Sequence, residues 1–140
     1  MSKTTLLCLV RDQRRAEAIG ALGNDIGDSP AMDSLAADGR VYESAYTPSP
    51  VCVPARSSLI TGFEPQNGQC FENEMPMSEA STFMEALTAH GYRTHGVGKM
   101  HFTPDVTALR GFESREIGEE FGTSASDDYF AFIEREGFDF

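Results

Sequence analysis

A chain of 140 residues with 40% hydrophobic residues can form one globular domain that buries about 70% of its unfolded surface. Its net charge of −11 argues against nucleic acid and anionic membranes as partners, and no apolar run approaches the roughly 20 residues of a membrane span. The three cysteines, Cys8, Cys52 and Cys70, include no Cys-x-x-Cys pair, which argues against a disulfide framework and a zinc knuckle.

Residues 4–10 form a short apolar run suited to a strand buried on both faces, with Cys8 in its core. Charge follows this run, at Arg11, Asp12, Arg14 and Arg15, where a signal peptide would place it first, so a cytoplasmic protein is expected. Ser29-Pro30 reads as an N-cap followed by a first-turn proline; Met32, Leu35 and Ala36 share a helical face, and Gly39 closes the element. Residues 41–46 have the β-branched and aromatic content of a strand. Thr82 and Glu85 match a capping box, Phe83 and Leu87 follow at helical spacing, and Gly91 stops the helix. A strand is expected at 92–97, and a last helix over about 126–136 with Phe130 and Ile133 facing inward. This alternation predicts an α/β fold, a largely parallel central sheet with helices on both faces. Between positions 111 and 140, nine carboxylates stand against Arg115 and Arg135, a composition that reads as a solvated face.

Residues 50–62, Pro-Val-Cys-Val-Pro-Ala-Arg-Ser-Ser-Leu-Ile-Thr-Gly, concentrate chemistry. Pro54 fits the first position of a helix, Leu59 and Ile60 supply an apolar face, and Gly62 is a natural stop. Cys52 then sits just ahead of a helix N-terminus, where free N–H groups and the macrodipole favour an anion. Arg56, one turn on, can reach back to that spot. In an acidic chain, Arg56, Lys99 and a bound cation would form the positive cluster that an anionic substrate requires.

Two further groups carry polar chemistry. Asp12-Gln13 follows the first expected strand, at the sheet edge where ligands gather, and offers the carboxylate and amide oxygens that a hard cation takes. Taken alone, such a pair in a loop reads as solvated. In Gly98-Lys99-Met100-His101-Phe102, Lys99 and His101 would share a strand face, an ammonium to bind charge beside an imidazole to move protons; exposed residues at a strand end fit the pattern as well. His90, near a helix C-terminus, and His95, in a strand, take structural roles, as their spacing to Cys52 and Cys70 is not that of a metal motif.

The segment Cys52-Val53-Pro54-Ala55-Arg56, with Ala45 to Pro50 before it and Ser57 to Gly62 after it, resembles the signature of the type I sulfatases. The segment from Leu9 to Gly20, with its Asp-Gln-x-Arg-Ala core, the stretch from Ser29 to Gly39, and the Gly-Lys-Met-His-Phe block are similar to the same family, the last in the style of choline-sulfatase. The resemblance implies an alkaline-phosphatase-like fold and a sulfuric ester hydrolase in which Cys52 is matured to formylglycine by a formylglycine-generating enzyme. It further implies a metal held by Asp12, Gln13 and residue 52, with Ca²⁺ expected and Mg²⁺ or Mn²⁺ as alternatives. The hydrated aldehyde would attack sulfur in a small sulfate ester, with Arg56 holding the formylglycine region, Lys99 binding sulfate oxygens and His101 accepting a proton. Asn73 lies where related sulfatases and phosphonate monoester hydrolases place an active-site Asn, although a turn role suits it equally. Members of the family are longer, so residues 1–140 read as the N-terminal part of the catalytic domain, and this segment alone is expected to be inactive.

Other readings stay open at this level. The same scaffold serves phosphonate or phosphate monoester hydrolysis. A cysteine-thiolate enzyme is a second possibility, since a helix N-terminus and Arg56 depress a thiol pKa. A non-catalytic fragment that keeps the motif is a third.

Overall fold

Proline and glycine cut this chain into short elements. The computed structural model describes residues 4–120 and 125–138. They fall into two units, one ending at Tyr46 and the other beginning at Thr47.

In the first unit, residues 4–10 have no ladder partner, and Leu6, Leu7, Cys8 and Leu9 are exposed. The strand expected here is therefore not formed, and Cys8 is not core. An apolar strand of this type is buried only with neighbours on both sides, and the described residues hold a single strand pair, which lies in the other unit. Residues 41–46 likewise form no strand, and Tyr42 and Tyr46 are exposed. Helix α1 (Pro30–Asp38) has the expected first-turn proline and ends at Gly39. Ser29 does not cap it with its side chain: Oγ accepts the Gly20 N–H at 2.8 Å and bonds Asp33 Oδ1 at 3.0 Å. Asp33 Oδ1 also accepts the Ala21 N–H at 2.8 Å, which ties the 3-10 turn Gly20–Leu22 to α1. Leu35, on the helical face it shares with Met32 and Ala36, is exposed.

The second unit runs α2 (Cys52–Thr61), α3 (Pro65–Gly68), α4 (Phe83–Ala89), β1 (His95–Gly98), β2 (Ser114–Ile117) and α5 (Asp128–Arg135). β1 and β2 pair in parallel, His95 opposite Ser114 and Gly98 opposite Ile117, so the α/β class with parallel strands holds. Helix α2 starts two residues before Pro54, which is its third residue. That position still lies in the first turn, whose N–H groups have no helical partner, so the proline costs no hydrogen bond. The helix stops as expected at Gly62 (φ 76). It buries Val53, Pro54, Ser57, Ser58 and Ile60, whereas Leu59 faces out. The Thr82–Glu85 capping box is formed on both sides, with Glu85 N–H donating to Thr82 Oγ1 at 3.2 Å and Thr82 N–H to Glu85 Oε2 at 3.0 Å. The inward residue of α4 is Met84; Phe83 is exposed.

The core comprises Val53, Ile60, Cys70, Met77, Met84 and Phe102, with Met75, Met100, Ala108 and Phe112 packed against it. The loop before β2 presses on the start of α4: Thr82 Oγ1 donates to Arg110 O at 2.9 Å. Gly111 (φ 95) permits this approach, since a Cβ there would lie 2.6 Å from Glu85 and 2.7 Å from Thr82. Among the described residues, no helix is long and apolar enough to cross a membrane.

Candidate active site

The N-terminus of α2 carries the Cys-x-Pro-x-Arg motif. Cys52 is its first residue and is half-buried; Val51 before it is extended and supplies no capping side chain. The first-turn N–H groups therefore look elsewhere for acceptors, and Val53 N–H donates to Asn73 Oδ1 at 2.9 Å. Asn73 is thus brought to the motif and caps the helix from outside it.

Arg56 and Lys99 meet the same helix end. Arg56 Nη1 donates to Lys99 O at 2.5 Å, across 43 residues of sequence. Lys99 Nζ lies 4.0 Å from Cys52 Sγ and 2.8 Å from Glu120 Oε2, with its side chain only 17% exposed. An ammonium beside the first residue of a helix makes a locus for negative charge.

Lys99 and His101 do not share a strand face. β1 ends at Gly98 (φ 87), and His101 itself takes a left-handed φ of 53, so both residues lie on a turn beyond the strand. Nδ1 of His101 is buried with no hydrogen-bond partner among the described residues.

The acidic 111–140 stretch is more than a solvated face. Glu119, with its side chain 9% exposed, accepts hydrogen bonds from Met100 N–H and His101 N–H, and Arg115 Nη2 is 3.5 Å away. Asp127, 3% exposed, caps α5 by accepting from Tyr129 and Phe130 N–H. Burial lowers the Arg115 guanidinium from its usual value, while Glu119, Asp105 and Asp128 act in the opposite sense. Composition alone missed these buried carboxylates; an Asp just before an amphipathic helix was the available signal for Asp127.

Asp12 and Gln13 form an exposed turn in the first unit, with Gln13 at φ 54. Their oxygens match a hard cation in donor type. Among the described residues, no group of three or more His, Cys, Asp or Glu side chains could hold a metal ion, so the pair falls short of a coordination set. The other two histidines lie at the element positions expected for them: His90 Nδ1 sits 2.7 Å from Ala86 O at the end of α4, and His95 opens β1.

Cys70 is a fully buried free thiol, and burial pushes its pKa above the ordinary value. The folded state holds this proton more tightly than the unfolded chain. Its contribution to stability is complete below the ordinary thiol range and fades as pH rises through the raised value. Near pH 8 the native protein should therefore leave Cys70 unlabelled by iodoacetamide while exposed Cys8 reacts, and denaturation should release Cys70. Peptide mapping checks this; equal native labelling of both cysteines contradicts it.

Residues 4–130 match the family model described as Sulfatase. The chain is 30% identical over 105 residues to an arylsulfatase of Clostridium perfringens (strain 13 / Type A), covering 74% of this chain and 22% of that protein. It is 33% identical over 115 residues to the choline-sulfatase of Rhizobium meliloti (strain 1021), covering 81% of this chain and 22% of that protein. It thus spans about a fifth of the length of the curated relatives it matches. In three dimensions it resembles the phosphonate monoester hydrolase of Agrobacterium radiobacter, with a TM-score of 0.76 at 22% identity, over 90% of this chain and 27% of the other. That likeness is one of fold.

Proposed function

Because this chain belongs to the sulfatase family, we propose that the full-length protein hydrolyses a small sulfate monoester with a formylglycine nucleophile made from Cys52. The observation that carries this reading is the approach of Lys99 Nζ to 4.0 Å from Cys52 Sγ at the N-terminus of α2. A nucleophile that must meet an anionic ester gains from a helix end and an ammonium beside it.

In the proposed reaction the aldehyde made from Cys52 adds water, one hydroxyl of the hydrate attacks sulfur, and the S–O bond to the alcohol breaks, the alcohol leaving with that hydroxyl's proton. The second hydroxyl then gives up its proton, the carbon–oxygen bond to sulfate breaks, and the aldehyde is restored. Lys99 would bind the sulfate oxygens as charge develops. Arg56 fixes the peptide on which Lys99 sits, Asn73 steadies the first turn of α2 at the edge of the substrate site, and His101 would exchange the proton through its ring. Asp12 and Gln13 would contribute two oxygens to a divalent cation, Ca²⁺ or alternatively Mg²⁺ or Mn²⁺, which when bound lowers the pKa of a hydroxyl and offsets negative charge. A formylglycine-generating enzyme is the required partner.

The fold likeness to a phosphonate monoester hydrolase supports a second reading, since sulfate and phosphonate esters are both tetrahedral oxyanions. Parallel assays with an aryl sulfate and a phenylphosphonate ester separate the two. The first test is the mass of the tryptic peptide 41–56 after co-expression with a formylglycine-generating enzyme. A peptide lighter than the cysteine form by about one water is expected. A peptide at the cysteine mass that iodoacetamide alkylates would overturn the proposed chemistry in favour of a thiol enzyme or a non-catalytic relative.

A further inference from the structure

Resting on the sulfatase reading above, we infer that Glu119 is a positioning residue that sets the turn carrying Lys99 and His101. The peptide unit joining Lys99 to Met100 is gripped at both ends. Its carbonyl oxygen accepts from Arg56 Nη1 at 2.5 Å, and its N–H donates to Glu119 Oε1 at 2.9 Å. The next N–H, of His101, donates to the same carboxylate at 2.9 Å to Oε1 and 3.1 Å to Oε2. A guanidinium on the oxygen and a carboxylate on the hydrogen fix the plane of this peptide, and with it the directions in which Lys99 and His101 leave the backbone.

Successive N–H groups that converge on one anion form a small anion-binding concavity. Here the protein fills it with its own side chain, on a turn where His101 takes φ 53 and needs such support. The carboxylate is itself held firmly. Arg115, with its side chain 1% exposed, stands 3.5 Å from Oε1, lies over the Phe102 ring at 4.6 Å, and donates to Val106 O and Ala108 O. Behind it, Glu119 N–H donates to Asp127 Oδ2 at 2.5 Å, and Asp127 in turn caps α5. A carboxylate removed from water persists only when its hydrogen bonds are met inside, and these are met by the two residues that follow Lys99.

The test compares the full-length parent with E119Q and E119A, reading kcat and KM for an aryl sulfate and backbone hydrogen exchange at Met100 and His101. E119A is expected to lower kcat about 100-fold with KM changed less than about threefold, because the misplaced groups act on the transition state. E119Q, which keeps one acceptor oxygen, should lose about tenfold in kcat. Exchange at the two amides should rise at least about tenfold in E119A while the α4 amides keep their protection. An E119A kcat within about twofold of the parent overturns the inference, as does unchanged exchange at the two amides. A kcat loss that merely follows the unfolded fraction measured by circular dichroism overturns it too. If the parent hydrolyses neither sulfate nor phosphonate esters, the functional reading falls. The exchange data then still decide whether Glu119 sets the turn.

Discussion

Replacing Cys52 with alanine in the full-length protein is expected to lower kcat for an aryl sulfate by about 10⁴-fold or more, with the fold intact. The structural cost is small for identifiable reasons. Cys52 opens α2 as its first residue, and alanine is a strong helix former there. Its Sγ lies a long 4.0 Å from Lys99 Nζ, while the cap on this helix end is the Val53 N–H donating to Asn73 Oδ1. The chemical cost is large because the variant has no atom from which an aldehyde can be made. Steady-state kinetics beside a thermal melt read both effects. Turnover within about tenfold of the parent, with an unchanged melt, would place the nucleophile elsewhere.

Phe102→Ala should cost about 3–5 kcal/mol of stability, an unusually large effect for one residue. Phe102 is 1% exposed and is the largest of the fully buried side chains. It packs with Val53 of α2 and Met84 of α4, and its ring lies under the Arg115 guanidinium at 4.6 Å. Truncation therefore leaves a cavity and also removes a cation–π partner from a buried charge. Urea unfolding with an unchanged slope gives the number. Phe102→Leu, which keeps most of the volume, should cost less than about 1.5 kcal/mol. Near-equal costs for the two variants would mean that the site collapses around alanine.

How much could be read beforehand depended on whether the cause was local. The Thr82–Glu85 box, the Gly62 stop and the Pro30 start were legible because each is settled within a few residues by N–H groups that need partners. Strands depend on partners far along the chain, and there the reading held only for the strand expected at 92–97, which overlaps β1. Residues 4–10 look like a buried strand and are exposed, whereas Ser-Arg-Glu-Ile at 114–117 shows no strand pattern and forms β2, because β1 lies parallel beside it. The candidate site divides in the same way. Motif and helix end set Cys52 and Arg56 in one turn of α2, Asn73 entered only through the family resemblance, and Lys99 and His101 lie on a turn past β1 instead of alternating on a strand. Glu119 was invisible because charge counts carry no information about burial.

The long reach between Cys52 and its surroundings has a consequence in time. The partner that comes within 4.0 Å of Sγ lies 47 residues downstream. At a synthesis rate of about 5–20 residues per second, roughly 2–9 s separate the emergence of Cys52 from that of Lys99. During that interval Cys52 has yet to meet the ammonium that stands beside it in the folded chain. Once the turn after β1 closes on α2, the same atoms are half-buried at a helix end. For the maturation proposed above, the order of events on the ribosome would set modification of Cys52 against folding, and slower decoding between codons 52 and 99 would lengthen the window.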